Sequence, residues 1–371
     1  MGNSDLNLGR CSVLFCSWSL GDTLLLVPTL RQLSRPIHFV GNGEVGALFA
    51  EWGLVDSYAN MFSAPGVFES EWRATMMGAA YDPRLWPGTW IKYGGVNQLN
   101  LLDRVPGPAQ GIIPQFGHVA HHLMDSLAIL GIEAKWDGPQ LPAVVDGSRS
   151  TMRVLVHPGG GSWKSPPVPL FKRVAEELRA EGFSVGVVVG NYPEDTARAK
   201  EMEWDGEIVG SHHLSRLYPE ILRASVWIGG DSGLTHLAGI CGLRTVAIFG
   251  PTDPGAWQPI GPRVSIVRTC TQPAYGGRVA TCGPDHKCFA GVTPRRVLEE
   301  VLGQFQRAGR SGNLDEDAGA YSPPPRDERP TRQNRRLPQV RRFQPRRPPP
   351  KRPDIHPADK MARALGIRRI S

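Results

Sequence analysis

The chain opens on short apolar runs separated by glycine and by stretches with helical spacing. Residues 12–17 (Ser-Val-Leu-Phe-Cys-Ser) are too short a run for a helix, and they are followed by Leu20-Gly21-Asp22 and a helical pattern that continues to Leu33. This order predicts a strand, a tight turn and a helix. The next strand is predicted at 37–40, and strand and helix alternate through the first half to a helix at 119–130, with Gly131 at its exit. A polar, proline-containing stretch at 136–150 interrupts the alternation, which then restarts with strands at 153–157, 184–189, 226–228 and 245–249 and a helix at 169–180. Apolar, β-branched strands alternating with helices predict parallel sheets covered on both faces. Two such runs predict two doubly wound α/β domains, 1–145 and 146–308, with a different kind of segment at 309–371. In such sheets ligands bind beyond the carboxyl ends of the strands, so the expected site is a cleft between the domains.

Charge changes this picture only at the end of the chain. The formal net charge is +7, but residues 310–371 hold sixteen Lys and Arg against seven Asp and Glu, so the preceding 309 residues are near neutral. The same segment has 11 of the 34 prolines and few large apolar residues. It cannot bury enough surface to offset its ordering entropy and is expected to be disordered. Its arginine pairs (Arg335-Arg336, Arg341-Arg342, Arg346-Arg347) suit loose peripheral contact with an anionic membrane surface, a solvated extension without a role being the other reading. With Phe343 the only aromatic among those pairs there is little to stack on bases, so no specific nucleic-acid partner is expected. No run approaches the roughly 18 apolar residues of a membrane span, and no cleavable signal is recognisable. Six cysteines without a C-x-x-C pair make neither a disulfide scaffold nor a zinc site, so a reducing cytoplasm and no metal are expected.

Candidate chemistry falls where predicted strands end. Gly230-Asp231-Ser232-Gly233-Leu234-Thr235-His236 lies between a strand and a helix rich in small residues. Glycines there let backbone N–H groups approach a phosphate, and a helix N-terminus favours its charge. Alternatively, Asp231 or Ser232 only caps the helix and His236 is a packed core histidine. Asp22, after Gly21, reads either as a helix cap or as a carboxylate at a cleft that could serve as general base. The stretch from His157 through Gly159-Gly160-Gly161-Ser162 to Lys164 places a flexible turn and a cation beyond a strand, without the spacing of a Walker loop. Lys164 could neutralise a diphosphate leaving group, or it could be a solvated loop lysine.

Taken together, residues 227–262 with their D-S-G-x-x-H core and residues 19–33 around Gly21-Asp22 resemble glycosyltransferase family 9, the ADP-heptose:lipopolysaccharide heptosyltransferases. The likeness extends to 127–132, 157–162 and His286-Lys287-Cys288, and covers residues 12 to about 306. The resemblance implies the GT-B architecture of two facing Rossmann-like domains, acceptor on the first and nucleotide sugar on the second. It implies Asp22 as catalytic base, Lys164 as the cation at the leaving group, and a donor site of Ser162, Asp231, Ser232, Gly233, Leu234 and His236, with Glu194 holding the ribose. The implied reaction is inverting, metal-independent transfer of a sugar, heptose from ADP-heptose, to a hydroxyl of a lipopolysaccharide-core glycolipid, without a cofactor, at the inner face of the cytoplasmic membrane. An epimerase or another nucleotide-sugar transferase on the same fold, and a basic-tailed nucleotide-binding adaptor, are the alternatives.

Overall fold

The computed structural model describes residues 11–15, 19–33, 35–60, 89–93, 96–101, 118–125, 152–160, 164–190, 192–211, 213–270 and 287–311, with the isolated positions 127, 133, 135 and 136. A first sheet has five strands, β1 (Cys11–Phe15), β2 (Ile37–Gly41), β3 (Ser57–Asn60), β4 (Thr89–Tyr93) and β5 (Val96–Leu101), in the order β3-β2-β1-β5-β4. All its pairs are parallel except β4–β5, which is antiparallel. That hairpin departs from the uniform parallel alternation expected of the first half. Only Gly94-Gly95 separate its strands, and a parallel crossover needs about a dozen residues or more.

The second sheet is parallel throughout and comprises β6 (Arg153–His157), β7 (Ser184–Val189), β8 (Glu207–Gly210), β9 (Val226–Gly230), β10 (Arg244–Ile248) and β11 (Val264–Val267). Its order is β11-β10-β9-β6-β7-β8. Counted from β6 this is 3-2-1-4-5-6, the doubly wound order of dinucleotide-binding sheets. The strands alternate faces with period two. Val154, Val156, Val226, Ile228, Val246 and Ile248 pack into one core with the long helices on that side, while Leu155, Trp227 and Ala247 point into the other.

That second core is continuous with the helices of the first sheet. It joins Leu24, Leu25, Val27 and Leu30 to Trp227, Leu237 and Ala238, all at most 1% exposed. Burying a side chain of this kind contributes roughly 1.5–3 kcal/mol before entropic costs. Helix α1 (Leu20–Leu24) and α2 (Val27–Leu30) stand where one helix to Leu33 was expected. Pro28 explains the break, because its ring crowds the carbonyl four residues back, at Leu24, where α1 ends. Helix α3 (Gly43–Glu51) is capped by Asn42, whose side chain accepts from the N–H groups of Glu44 and Val45. Helix α4 (Val119–Asp125) then occupies the start of the expected 119–130 helix.

On the second sheet, α5 (Val168–Ala180) buries Val168, Phe171, Val174, Ala175 and Leu178, the spacing of one helical face. Helices α6 (Pro193–Glu201), α7 (Leu214–Leu222), α8 (Gly233–Ile240) and α9 (Pro254–Trp257) follow β7, β8, β9 and β10 in turn, and α10 (Pro294–Ser311) packs against α5. The two halves are also joined by Trp52, at the end of α3, whose Nε1 donates to the Tyr218 hydroxyl on α7 at 2.9 Å. Among the described residues no helix is long and apolar enough to cross a membrane. The basic segment at 312–371 lies outside the described residues.

Candidate active site

In a doubly wound sheet the crevice opens where the winding reverses. In the second sheet that point lies between β6 and β9, so the loops that leave these two strands share it. They carry Lys164 and Asp231. In the first sheet the neighbours of β1 are β2 and β5, and the chain leaving β1 leads to α1 and Asp22.

Two glycines bring these turns face to face. A Cβ on Gly21 would lie 2.8 Å from Cδ2 of His236, and one on Gly233 would lie 2.6 Å from Cβ of Leu20. Such distances leave no room for a side chain, so α1 and α8 meet start to start. The N-cap of α1 is Ser19, whose Oγ accepts from the Asp22 N–H at 3.4 Å. Capping therefore belongs to Ser19, and Asp22 stands inside the first turn, 7% exposed, on the turn that abuts His236.

Across this contact, Ser232 caps α8, its Oγ accepting from the Thr235 N–H at 3.3 Å and lying 3.0 Å from the Thr235 hydroxyl. Thr235 Oγ1 also accepts from Trp227 Nε1 at 3.1 Å, which ties the cap to the buried face of β9. Asp231 is left for another task. Its Oδ2 is 3.1 Å from Lys164 Nζ and its Oδ1 is 3.8 Å from His236 Nε2. Burial alone would raise the Asp231 carboxyl, but the Lys164 ammonium and the His236 ring outweigh it and hold the group well below the usual carboxylate range. Lys164 keeps about a quarter of its side chain exposed, and an ammonium has three donors, of which Asp231 takes one. Among the described residues His236 Nδ1 is buried without a hydrogen-bond partner. Leu234 is buried and reaches toward Gly190, at the end of β7.

The loop after β6 folds against the same cap. Gly160 has φ +113°, a conformation that favours glycine, and a Cβ there would lie 2.5 Å from that of Ser232. Ser162 lies outside the described residues, as do Cys282 and His286. Among the described residues no cluster of three or more His, Cys, Asp and Glu could hold a metal.

The structure thus gathers Lys164, Asp231, Ser232, Gly233, Leu234 and His236 at one crevice and sets the Asp22 turn against it. Glu194 stands exposed in the first turn of α6, the helix that follows β7. Its neighbour Asp195 is 3% exposed, and its Oδ1 accepts from the Gly160 N–H at 3.0 Å. Helical periodicity could have separated the two acids. Asp195, Ala199 and Met202 follow the i, i+4, i+7 spacing of the buried face, and Glu194 falls beside it.

His118 was also missed. Fully buried just ahead of α4, it accepts the Ala120 N–H at Nδ1 (3.2 Å), and its Nε2 donates to the Gln258 carbonyl at 2.8 Å, beyond α9. One neutral imidazole thereby caps a helix of the first half and bridges to a loop of the second.

Two facing Rossmann-like sheets whose strand-end loops meet at one cleft define the GT-B architecture, and the chain is a glycosyltransferase on that fold. Residues 151–286 match the model of glycosyltransferase family 9 (heptosyltransferase). The chain is 26% identical over 247 residues to lipopolysaccharide heptosyltransferase 2 of Salmonella typhimurium, covering 60% of this chain and 69% of that protein. A family 9 glycosyltransferase from Veillonella parvula superposes with a TM-score of 0.62 at 16% identity, over 82% of this chain and 99% of that one. The ADP-heptose lps heptosyltransferase II of E. coli gives 0.56 at 16% identity, over 80% and 99%. The family match thus falls on the half that carries the second sheet, and the likeness of fold extends over both halves.

Proposed function

We propose that the protein transfers heptose from ADP-heptose, with inversion, to a hydroxyl of a lipopolysaccharide-core acceptor, without a metal. The observation that carries this reading is the Lys164–Asp231 pair at the reversal point of the second sheet, set against the turn that holds Asp22. A nucleoside diphosphate leaves with growing negative charge. Lys164, fixed by Asp231, offers its remaining donors to that charge, and the N–H groups at the start of α8 add the partial positive charge of a helix N-terminus. The unpartnered His236 Nδ1 is a group that a donor oxygen would satisfy. Asp22 takes the proton of the attacking hydroxyl. In this reading the first domain, to about residue 145, binds the acceptor and the second, to about 308, binds the donor. The match of the second segment to the heptosyltransferase family and the names of the relatives support the sugar and the acceptor class.

The test is a comparison of two lysines. Lys164→Ala is expected to weaken ADP binding and ADP-heptose turnover by an amount typical of a charge-assisted phosphate contact, about 1.5–3 kcal/mol. Lys172→Ala should change little, because Lys172 pairs with Glu203 at 3.2 Å on the outer helix α5. Equal effects at the two positions would leave Lys164 a loop lysine without a role. Assayed in chelator, the wild type should keep its rate, and a loss restored by a divalent ion would overturn the metal-free mechanism.

The segment from residue 309 is proposed to hold the enzyme at the inner face of the cytoplasmic membrane by charge alone, each Lys or Arg near an anionic surface contributing roughly 1 kcal/mol. Deleting 310–371 should leave turnover on a delipidated acceptor unchanged and reduce sedimentation with anionic vesicles at low salt. Equal sedimentation of full-length and truncated protein would end the recruitment idea.

A further inference from the structure

The Lys164 loop is short, glycine-rich and flanked by prolines, a composition that does not fix a lysine by itself. What fixes it comes from α6, the helix that follows β7. Arg198 Nε donates to the Pro158 carbonyl at 2.6 Å, and its Nη2 donates to the Pro166 carbonyl. These two carbonyls bracket the loop, one where it leaves β6 and one where it enters α5, and both prolines are buried. One turn earlier on the same helix face, Asp195 accepts the Gly160 N–H from within the loop. Ser165 closes the base by donating to the Gly159 carbonyl at 3.3 Å.

We infer that Arg198 is a positioning residue for the reaction: it clamps both ends of the loop so that Lys164 stands at Asp231, ready for the diphosphate. The chemistry of the side chain is what the task requires. Buried carbonyls need donors, and a guanidinium carries five in a planar fork that can span two acceptors. A lysine ammonium is a point charge on a flexible stem and would hold one carbonyl at a time. Asp195 supplies the complementary acceptor for the loop's own N–H. It also explains the bare Cα of two glycines, since a Cβ would lie 2.0 Å from Asp195 Oδ1 at Gly159 and 2.2 Å from Oδ2 at Gly190. Arg198 touches no substrate in this arrangement. It acts through Lys164, and misplacement of a catalytic group by about an ångström can cost about 10²-fold.

The inference rests on the diphosphate role given to Lys164, and the experiment separates the two. Full-length wild type, Arg198→Lys, Arg198→Ala, Lys164→Ala and the Lys164→Ala/Arg198→Ala double variant are compared for ADP affinity, for kcat and KM with ADP-heptose, and for hydrogen exchange of the loop amides. Arg198→Ala is expected to speed exchange at Gly159, Gly160 and Ser165 and to lower kcat/KM by roughly 10- to 100-fold. Arg198→Lys keeps the charge and protects against a simple folding failure, and its loss should be smaller but of the same kind. The double variant should be no worse than Lys164→Ala alone, because a misplaced lysine and an absent one fail in the same way. Losses that multiply in the double variant, or loop exchange in Arg198→Ala equal to wild type, would overturn the clamp. An ADP affinity unchanged by Lys164→Ala would instead sink the diphosphate role, and the functional half of the inference with it, while the exchange rates would still report on the clamp.

Discussion

Asp22→Asn is expected to lower kcat by about 10²- to 10⁴-fold and to leave ADP affinity nearly unchanged. The amide keeps the size and much of the hydrogen-bonding shape of the carboxylate but cannot take a proton, so the loss falls on the chemical step. The cap of α1 is Ser19, so the substitution spares the cap, and the favourable placement of an acid in a first helical turn is worth about 0.3–1 kcal/mol. The expected rate loss corresponds to about 2.7–5.5 kcal/mol of barrier, which lies above that range. Steady-state kinetics with ADP-heptose, alongside calorimetric ADP binding, checks it. A variant that retains more than half the wild-type rate would leave Asp22 as a packed helix residue facing His236.

The four inner strands of the second sheet were legible, and its two edge strands, β8 and β11, were not. Strands at 153–157 and 184–189 were expected with the bounds they have, because strands buried on both faces read as uninterrupted β-branched runs with glycine at the exit. The first half was harder to read where a proline interrupted a helical pattern, at Pro28, and where Gly94-Gly95 turned an expected crossover into a hairpin. Of the site, the motif residues at strand ends were visible because ligand crevices in doubly wound sheets lie there, and the structure brings Lys164 to Asp231 across 67 positions of sequence. The residues that hold the motifs in place were not visible. Arg198 reads as an ordinary basic residue in the last turn of a helix, where the helix dipole alone would justify it, and only the tertiary fold shows both of its carbonyl partners. Gly233 illustrates the converse, since its lack of a side chain is already required by Leu20, whatever a phosphate would ask of it.

His118 gives the other large effect, in stability against pH. Nδ1 accepts the Ala120 N–H and Nε2 donates to Gln258, so only the neutral ring satisfies both partners, and a proton on Nδ1 would face another donor. Burial is the main cause that pushes its pKa down to about 3, the nearby rings of His121 and His236 lowering it further against the contrary pull of the Gln258 carbonyl. In the unfolded chain the same histidine titrates near 6.5. Between those values the unfolded state binds the extra proton, so stability falls as the pH drops below about 6.5, by up to about 1.4 kcal/mol per pH unit, and the loss levels off near the folded value. From pH 7 to pH 5 this single group should remove about 2 kcal/mol. Asn at this position can accept the Ala120 N–H through its oxygen, as helix caps do, and can donate through its amide without titrating. Denaturant unfolding at pH 7 and pH 5 should therefore show a wild type that loses about 2 kcal/mol more than His118→Asn, other histidines cancelling in the difference. Because the bridge spans the two halves, a wild type and a His118→Asn variant that weaken in parallel would mean that the ring is not held neutral between Ala120 and Gln258.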